Sequence, residues 1–185
     1  MQNAIAIASV VATAAVAILV PLINSRGERM RIRGQLQHER LDELRLVLDT
    51  GVAALAGAQD RLRSAELLVE RSQASDAEAE DASDAEEAIG NADRALRDVS
   101  EQRLRTSIRL GPSTELVVTY GLAYEALVDE LEVLRSAFLG GPLSDDPKGW
   151  KEVVVPLNQA RERFGVAQRS VSELAANLIG PFSET

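Results

Sequence analysis

Apolar residues are distributed along this chain in two patterns. The first is an unbroken run at residues 4–23, twenty positions without a charge, interrupted only by Ser9, Thr13 and Pro21. At about 1.5 Å rise per helical residue it matches the roughly 30 Å of a bilayer's hydrocarbon core, and it predicts a membrane-spanning helix. The second is a rhythm of threes and fours over the remaining sequence, which predicts amphipathic helices.

That rhythm is strictest in the first soluble helix, expected over residues 28–71. Leu41, Leu48, Leu55, Leu62 and Val69 recur every seven positions, and Leu44, Gly51, Ala58 and Ala65 follow three residues after the first four. Large residues at one seam position and mostly small ones at the other allow close helix approach. An intramolecular bundle is preferred to a coiled coil between chains, because later helices are available to fill the seam. A second helix is expected over residues 84–110, with Ile89, Ala92, Leu96 and Val99 inward and the stripe then drifting to Leu104 and Ile108. A third starts at Ser113 or Thr114 and turns Leu116, Tyr120, Ala123, Leu127, Leu131, Leu134 and Phe138 inward. In a fourth, capped by Asp146 with Pro147 in its first turn, Trp150, Leu157, Phe164, Val171 and Leu178 repeat every seven residues. Val153, Ala160, Ala167 and Leu174 lie three later, and Pro156 is expected to kink the helix without changing its phase.

Three Gly-Pro steps, at residues 111–112, 141–142 and 180–181, mark helix ends. The first should make the second and third helices antiparallel neighbours. No alternating run is long enough for a sheet. Between the first two helices, residues 76–87 hold seven acidic side chains and no basic one. The segment reads as a solvated acidic linker at about residues 74–84, with Ser83-x-x-Glu86 preferred over Ser75-x-x-Glu78 as the capping box that starts the second helix. Capture of a basic partner is its alternative reading.

The fold class expected is therefore all-α. A single N-terminal transmembrane helix is followed by a long-stalked antiparallel bundle of about four soluble, coiled-coil-like helices. The divisions are an anchor at 1–25, a basic juxtamembrane stalk at 26–40 and the bundle at 41–185. The first soluble helix would be roughly 65 Å long against roughly 40 Å for the next two, its excess lying at the membrane end.

Charge gives the anchor a direction. No Lys or Arg precedes the run, whereas Arg26, Arg29, Arg31, Arg33 and Arg40 come after it against only Glu28 and Glu39. The positive-inside rule places the N-terminus outside and the C-terminal domain in the cytoplasm, a single-pass protein of the cell membrane. A cleaved signal peptide would want a basic n-region and a small-residue cleavage site after a shorter apolar core; here the n-region has no basic side chain, Pro21-Leu22-Ile23-Asn24 is a poor site, and Ala15-Val16-Ala17, though small-x-small, sits inside the apolar run. Arg26, Arg29, Arg31 and Arg33 are candidates for contact with anionic headgroups, each worth about 1 kcal/mol near the surface. Within the run, Ala4, Ala8 and Ala12, and Ser9, Thr13 and Ala17, recur every four residues and offer a face for a homodimer, although an alanine-rich chain produces such spacings by chance.

Composition removes several functions. The net charge of −9 argues against general nucleic-acid affinity, which needs a basic footprint. With no cysteine there is neither a disulfide nor a thiolate metal site. His38 is the only histidine, without a Glu-x-x-His pair, so it reads as a solvated residue. Walker, nucleophile-elbow and dinucleotide motifs are absent, and the carboxylates fall on expected solvent faces. Basic residues are 18 Arg and 2 Lys, which with the alanine content suggests GC-rich codons and a bacterial source. Both lysines, Lys148 and Lys151, flank the only tryptophan, Trp150. This trio is the candidate partner contact, with closure of the bundle core as Trp150's other reading. The sequence thus implies no enzyme, metal, cofactor or small-molecule substrate. The expected partners are the lipid bilayer and a protein. The expected role is a scaffold or adaptor at the cytoplasmic membrane surface, or else a signalling subunit that passes a change in span packing to the bundle.

Overall fold

A computed structural model describes the backbone of residues 2–74, 77–140 and 148–179, and the side chains of 31, 33–74, 77–140 and 152–178. All regular structure among the described residues is helical: α1 (Gln2–Ser72), α2 (Ala79–Leu110), α3 (Glu115–Leu139) and α4 (Lys148–Ile179). The chain divides into two compact units, Met1–Glu43 and Leu44–Thr185.

In the first unit the backbone is helical throughout its described length, through Pro21 and Gly27. The separate helices expected before and after residue 28 are therefore one helix. An interior proline removes one backbone hydrogen bond and crowds the carbonyl four residues earlier, at about 3 kcal/mol, and an isolated glycine costs about 1 kcal/mol; the helix continues through both. The run at 4–23 lies outside the described side chains. Among the described residues, no helix is long and apolar enough to cross a membrane.

The second unit is a four-helix bundle whose neighbours in sequence run antiparallel. The seam of α1 is buried from Leu48 onward as its sevenfold spacing predicts: Leu48, Leu55, Leu62 and Val69 are in the core, with Ala58 and Ala65 on the adjacent row, while Leu41 and Leu44 at its start are half-buried. Residues 44–72 span roughly 43 Å, close to the roughly 48, 38 and 48 Å of α2, α3 and α4. Helices of similar length can bury a continuous seam along one another.

The acidic segment corrects one expectation. The second helix begins at Ala79, not near residue 84, and most of the acidic run is helical. Glu78 is its extended N-cap residue, and Asp81 reaches back to accept a hydrogen bond from the Glu78 backbone N–H at 2.9 Å. Asp81 also pairs with Arg71 Nε at 2.7 Å, fastening the end of α1 to the start of α2. Acidic groups suit the positive end of a helix dipole, so Glu80 and Asp81 favour helix here. The charge run is a helix start with one buried side, on which Asp81, Ala85 and Ala88 lie.

A second correction concerns the end of α2. Leu104 and Ile108 are 60% and 74% exposed, so the stripe does not drift towards them. The sevenfold phase continues instead through Ala85, Ala92, Val99 and Thr106, all buried. Thr106 can be buried because its hydroxyl donates to the Gln102 carbonyl at 2.8 Å. Arg103, on the neighbouring row seven residues after Leu96, lies over Gly121 of α3; a Cβ there would stand 2.9 Å from the guanidinium. Glycine leaves the space that the arginine occupies.

The turn from α2 to α3 agrees with its Gly-Pro signal. Gly111 ends α2 with φ of +91° and donates to the Ser107 carbonyl at 2.8 Å. Thr114 then precedes α3 as the N-cap residue. The last helix runs without interruption through Pro156. Leu157, Phe164 and Val171 are buried, but Leu178 is 42% exposed; Ala175 takes the inward place at that end. The expected cap at Asp146 and Pro147 and the Gly-Pro steps at 141–142 and 180–181 lie outside the described residues.

Candidate functional site

Two features of the bundle concentrate chemistry. One is a buried ionic cluster. Glu130 of α3 is fully buried, and its Oε1 accepts a hydrogen bond from Arg161 Nε of α4 at 2.9 Å. The same guanidinium reaches Glu66 of α1 through its terminal nitrogen. One cation thus joins three helices and faces two carboxylates. Among the described residues, none donates a hydrogen bond to Glu130 Oε2. Burial pushes the Glu130 carboxyl above its ordinary range despite Arg161, whose charge is shared with Glu66. This cluster corrects the expectation that carboxylates occupy only solvent faces.

Glu130 carried a signal in the sequence. Leu116, Tyr120, Ala123, Leu127, Glu130, Leu134 and Ala137 step by four and three in strict alternation, and all are buried. Choosing Leu131 and Phe138 as the inward residues passes over the polar member of that row. Leu131 is also buried, whereas Phe138 only packs against the core from a partly exposed position.

The second feature is an open groove of about 930 Å³ between α3 and α4. Its apolar lining comes from Leu122 and Ala126 on α3 and from Val166, Ala167 and Leu174 on α4. Leu122 and Val166 are 55% and 60% exposed. The polar lining includes Glu115, Glu125, Glu162 and Glu173. Among the described lining side chains Arg163 is the one basic residue, and it pairs with Asp129 at 2.8 Å. Small residues explain the depression: Ala126 and Ala167 leave the inter-helix space shallowly filled, while larger side chains stand at its edges. The sevenfold pattern is blind to this face because Leu122 and Val166 sit off the inward rows.

The arrangement suits binding to an extended or helical segment. It is open, and its lining combines apolar side chains with four glutamates. Among the described residues, no group of three or more His, Asp or Glu is placed to hold a metal ion.

Of the residues selected from sequence, Arg31 and Arg33 are exposed on α1. The side chains of Arg26 and Arg29 lie outside the described residues. So do those of Lys148, Trp150 and Lys151, although their backbone forms the first turn of α4. His38 is exposed on α1. The structure thus brings together Glu66, Glu130 and Arg161, none of which is among the residues selected from sequence. Comparison with family models, with curated proteins and with solved structures finds no match to this chain.

Proposed function

We propose that this chain is a non-enzymatic, membrane-anchored helical bundle that acts as a scaffold or adaptor, holding a protein partner at the cytoplasmic face of a cell membrane. The observation that carries this reading is the twenty-residue uncharged run at 4–23, succeeded at once by Arg26, Arg29, Arg31 and Arg33. A run of that length favours insertion, and the arginines favour a cytoplasmic position for the domain beyond them. On this reading the run is a single-pass anchor and the basic segment is a juxtamembrane stalk. The bundle then presents its outer faces to a partner, and the groove between α3 and α4 supports that role.

The experiment is fractionation of cells expressing the full-length chain, with a reporter at its C-terminus. Retention in membranes after an alkaline carbonate wash, release by detergent and a cytoplasmic reporter signal are expected. Recovery in the soluble fraction, or an extracytoplasmic signal, would overturn the anchor or its direction.

A second reading rests on a different observation. Helix α1 is one helix from Gln2 to Ser72, so the apolar run and the bundle seam share a backbone. This supports a signalling subunit in which altered packing of the run is passed to the bundle. Cross-linking through Ala8→Cys should then change amide-exchange protection around Leu55 and Ala58. Unchanged protection would leave the scaffold alone.

A further inference from the structure

We infer that the α3–α4 groove is a docking site for a basic amphipathic helix of a partner protein. The inference rests on the scaffold reading for its biological setting, but it stands on its own geometry. An amphipathic helix needs an apolar strip to cover its leucine-type face and a flanking potential opposite to its own charges. The groove offers both. Leu122 and Val166 are large, exposed and drawn from opposite walls, with Ala126, Ala167 and Leu174 beside them. Among its described lining residues, four glutamates border this strip and the single arginine is held by Asp129.

Length is also suitable. The α4 lining extends from Gln159 to Asn177, roughly 27 Å along that helix, and the α3 lining from Glu115 to Ala126, roughly 17 Å, so about three turns of a guest would be held between both walls. A helix of that size would place apolar residues at every third and fourth position against the strip. Its Lys or Arg residues would flank them and meet Glu115 and Glu125 on one side and Glu162 and Glu173 on the other.

The charge pattern selects this occupant over two others. A second copy of the chain would bring the same four glutamates to a face-to-face contact, and like charges would oppose one another across it. An anionic lipid surface meets the same repulsion. The chain's own basic segment has arginines but lacks the apolar seam a groove guest needs, since residues 29–38 carry few regularly spaced apolar side chains.

The test uses the full-length chain in nanodiscs, or in buffer if it remains soluble alone. Two synthetic 18-residue peptides share one leucine stripe; one has Arg and Lys flanks, the other Glu flanks. Fluorescence anisotropy should show saturable binding of the cationic peptide only, weakening at least tenfold between low and high salt. The Glu125→Lys and Glu162→Lys double variant should weaken it at least tenfold, and Val166→Ser should do so at any salt. These positions are exposed, and an unchanged circular dichroism melt confirms that each variant folds. Amide-exchange protection on binding should map to α3 and α4. Equal binding of the acidic peptide, or cationic binding indifferent to all these variants, would overturn the inference. So would a homodimer in light scattering that Val166→Ser dissolves, because the groove's occupant would then be a second copy. A membrane-retained chain that ignores both peptides loses the docking site and keeps the anchor. A soluble chain that binds the cationic peptide keeps the docking site and loses the anchor.

Discussion

Arg161 donates from Nε to Glu130 Oε1 across 2.9 Å, with Glu130 fully buried and the guanidinium shared with Glu66. Removing a buried charge is unlike removing its partner. Arg161→Ala would leave Glu130 in the core without a counter-charge, at a cost of about 3 kcal/mol, the lower end for broken buried pairs because Glu130 can take up a proton. Glu130→Gln keeps the shape, removes the disfavoured charge and leaves Arg161 with Glu66. It should change stability by less than about 1 kcal/mol in either direction at neutral pH. Urea unfolding midpoints at constant slope compare the two. A Glu130→Gln loss as large as that of Arg161→Ala would show that the ion pair itself holds the bundle together.

Two glycines of α1 should respond in opposite ways to the same change. At Gly57 nothing lies within 4 Å of an added Cβ, so Gly57→Ala gains helix propensity and should stabilise by about 0.5–1 kcal/mol. At Gly51 a Cβ would stand 3.2 Å from Tyr120 Cε2. Tyr120 is buried, and its hydroxyl donates to the Gly51 carbonyl at 3.0 Å, so its ring has little room to retreat. Gly51→Ala should therefore lower stability by about 1 kcal/mol, overpacking outweighing propensity. The partner change Tyr120→Leu, which removes the ring, should make Gly51→Ala favourable. A thermal-melt cycle over the four proteins measures the coupling.

These two sites also show what the sequence made legible. Gly51 falls on the small row of the α1 seam and Tyr120 on the α3 stripe, because both obey the helical period. Glu130, Thr106 and Arg103 obey it too, but hydrophobicity hides them: a polar residue on an inward row is readable only if rhythm is trusted over side-chain type. Leu104 and Ile108 mislead for the reciprocal reason, being apolar but off the row. The start of α2 is obscured because charge density suggests solvation, whereas the decisive facts are tertiary: Asp81 meets Arg71 from the preceding helix. The groove depends on where small residues of two helices meet, and a pattern read along one chain does not contain that pairing.

Asp81 should be the most sensitive residue of the acidic segment. It caps the Glu78 N–H, pairs with Arg71 and is 8% exposed. Asp81→Ala removes both contacts and should cost about 1–2 kcal/mol. Glu80→Ala, one residue away on the exposed face, should stay within about 0.5 kcal/mol of the parent. Amide exchange in the first turn of α2 should accelerate in the Asp81 variant alone. Equal effects of the two changes would mean that the segment's total charge, rather than this contact, sets the helix start.

Acid should act on Asp93 and Glu130 with opposite signs. At Asp93, burial acts to raise the carboxyl pKa, but hydrogen bonds from Arg97 at 2.7 Å and Arg135 at 2.9 Å outweigh it and hold the group below its ordinary 3.8. Its contribution to stability is present above that ordinary value and is lost as pH falls through the lowered folded value. At Glu130 burial raises the folded value above the ordinary 4.5. The folded state there prefers the proton, so this contribution is complete below 4.5 and disappears as pH rises through the raised value. Asp93→Asn should consequently be less stable than the parent at neutral pH, with the gap closing below 3.8. Between neutrality and 4.5, the parent should gain on Glu130→Gln as pH falls, because only the parent can relieve its buried charge by protonation. Unfolding free energies of the three proteins, measured by urea titration from pH 7 towards 3, should show one gap closing and the other shifting in the parent's favour. A Glu130→Gln gap independent of pH across that range would mean that Glu130 keeps the same proton affinity in the folded and unfolded chains.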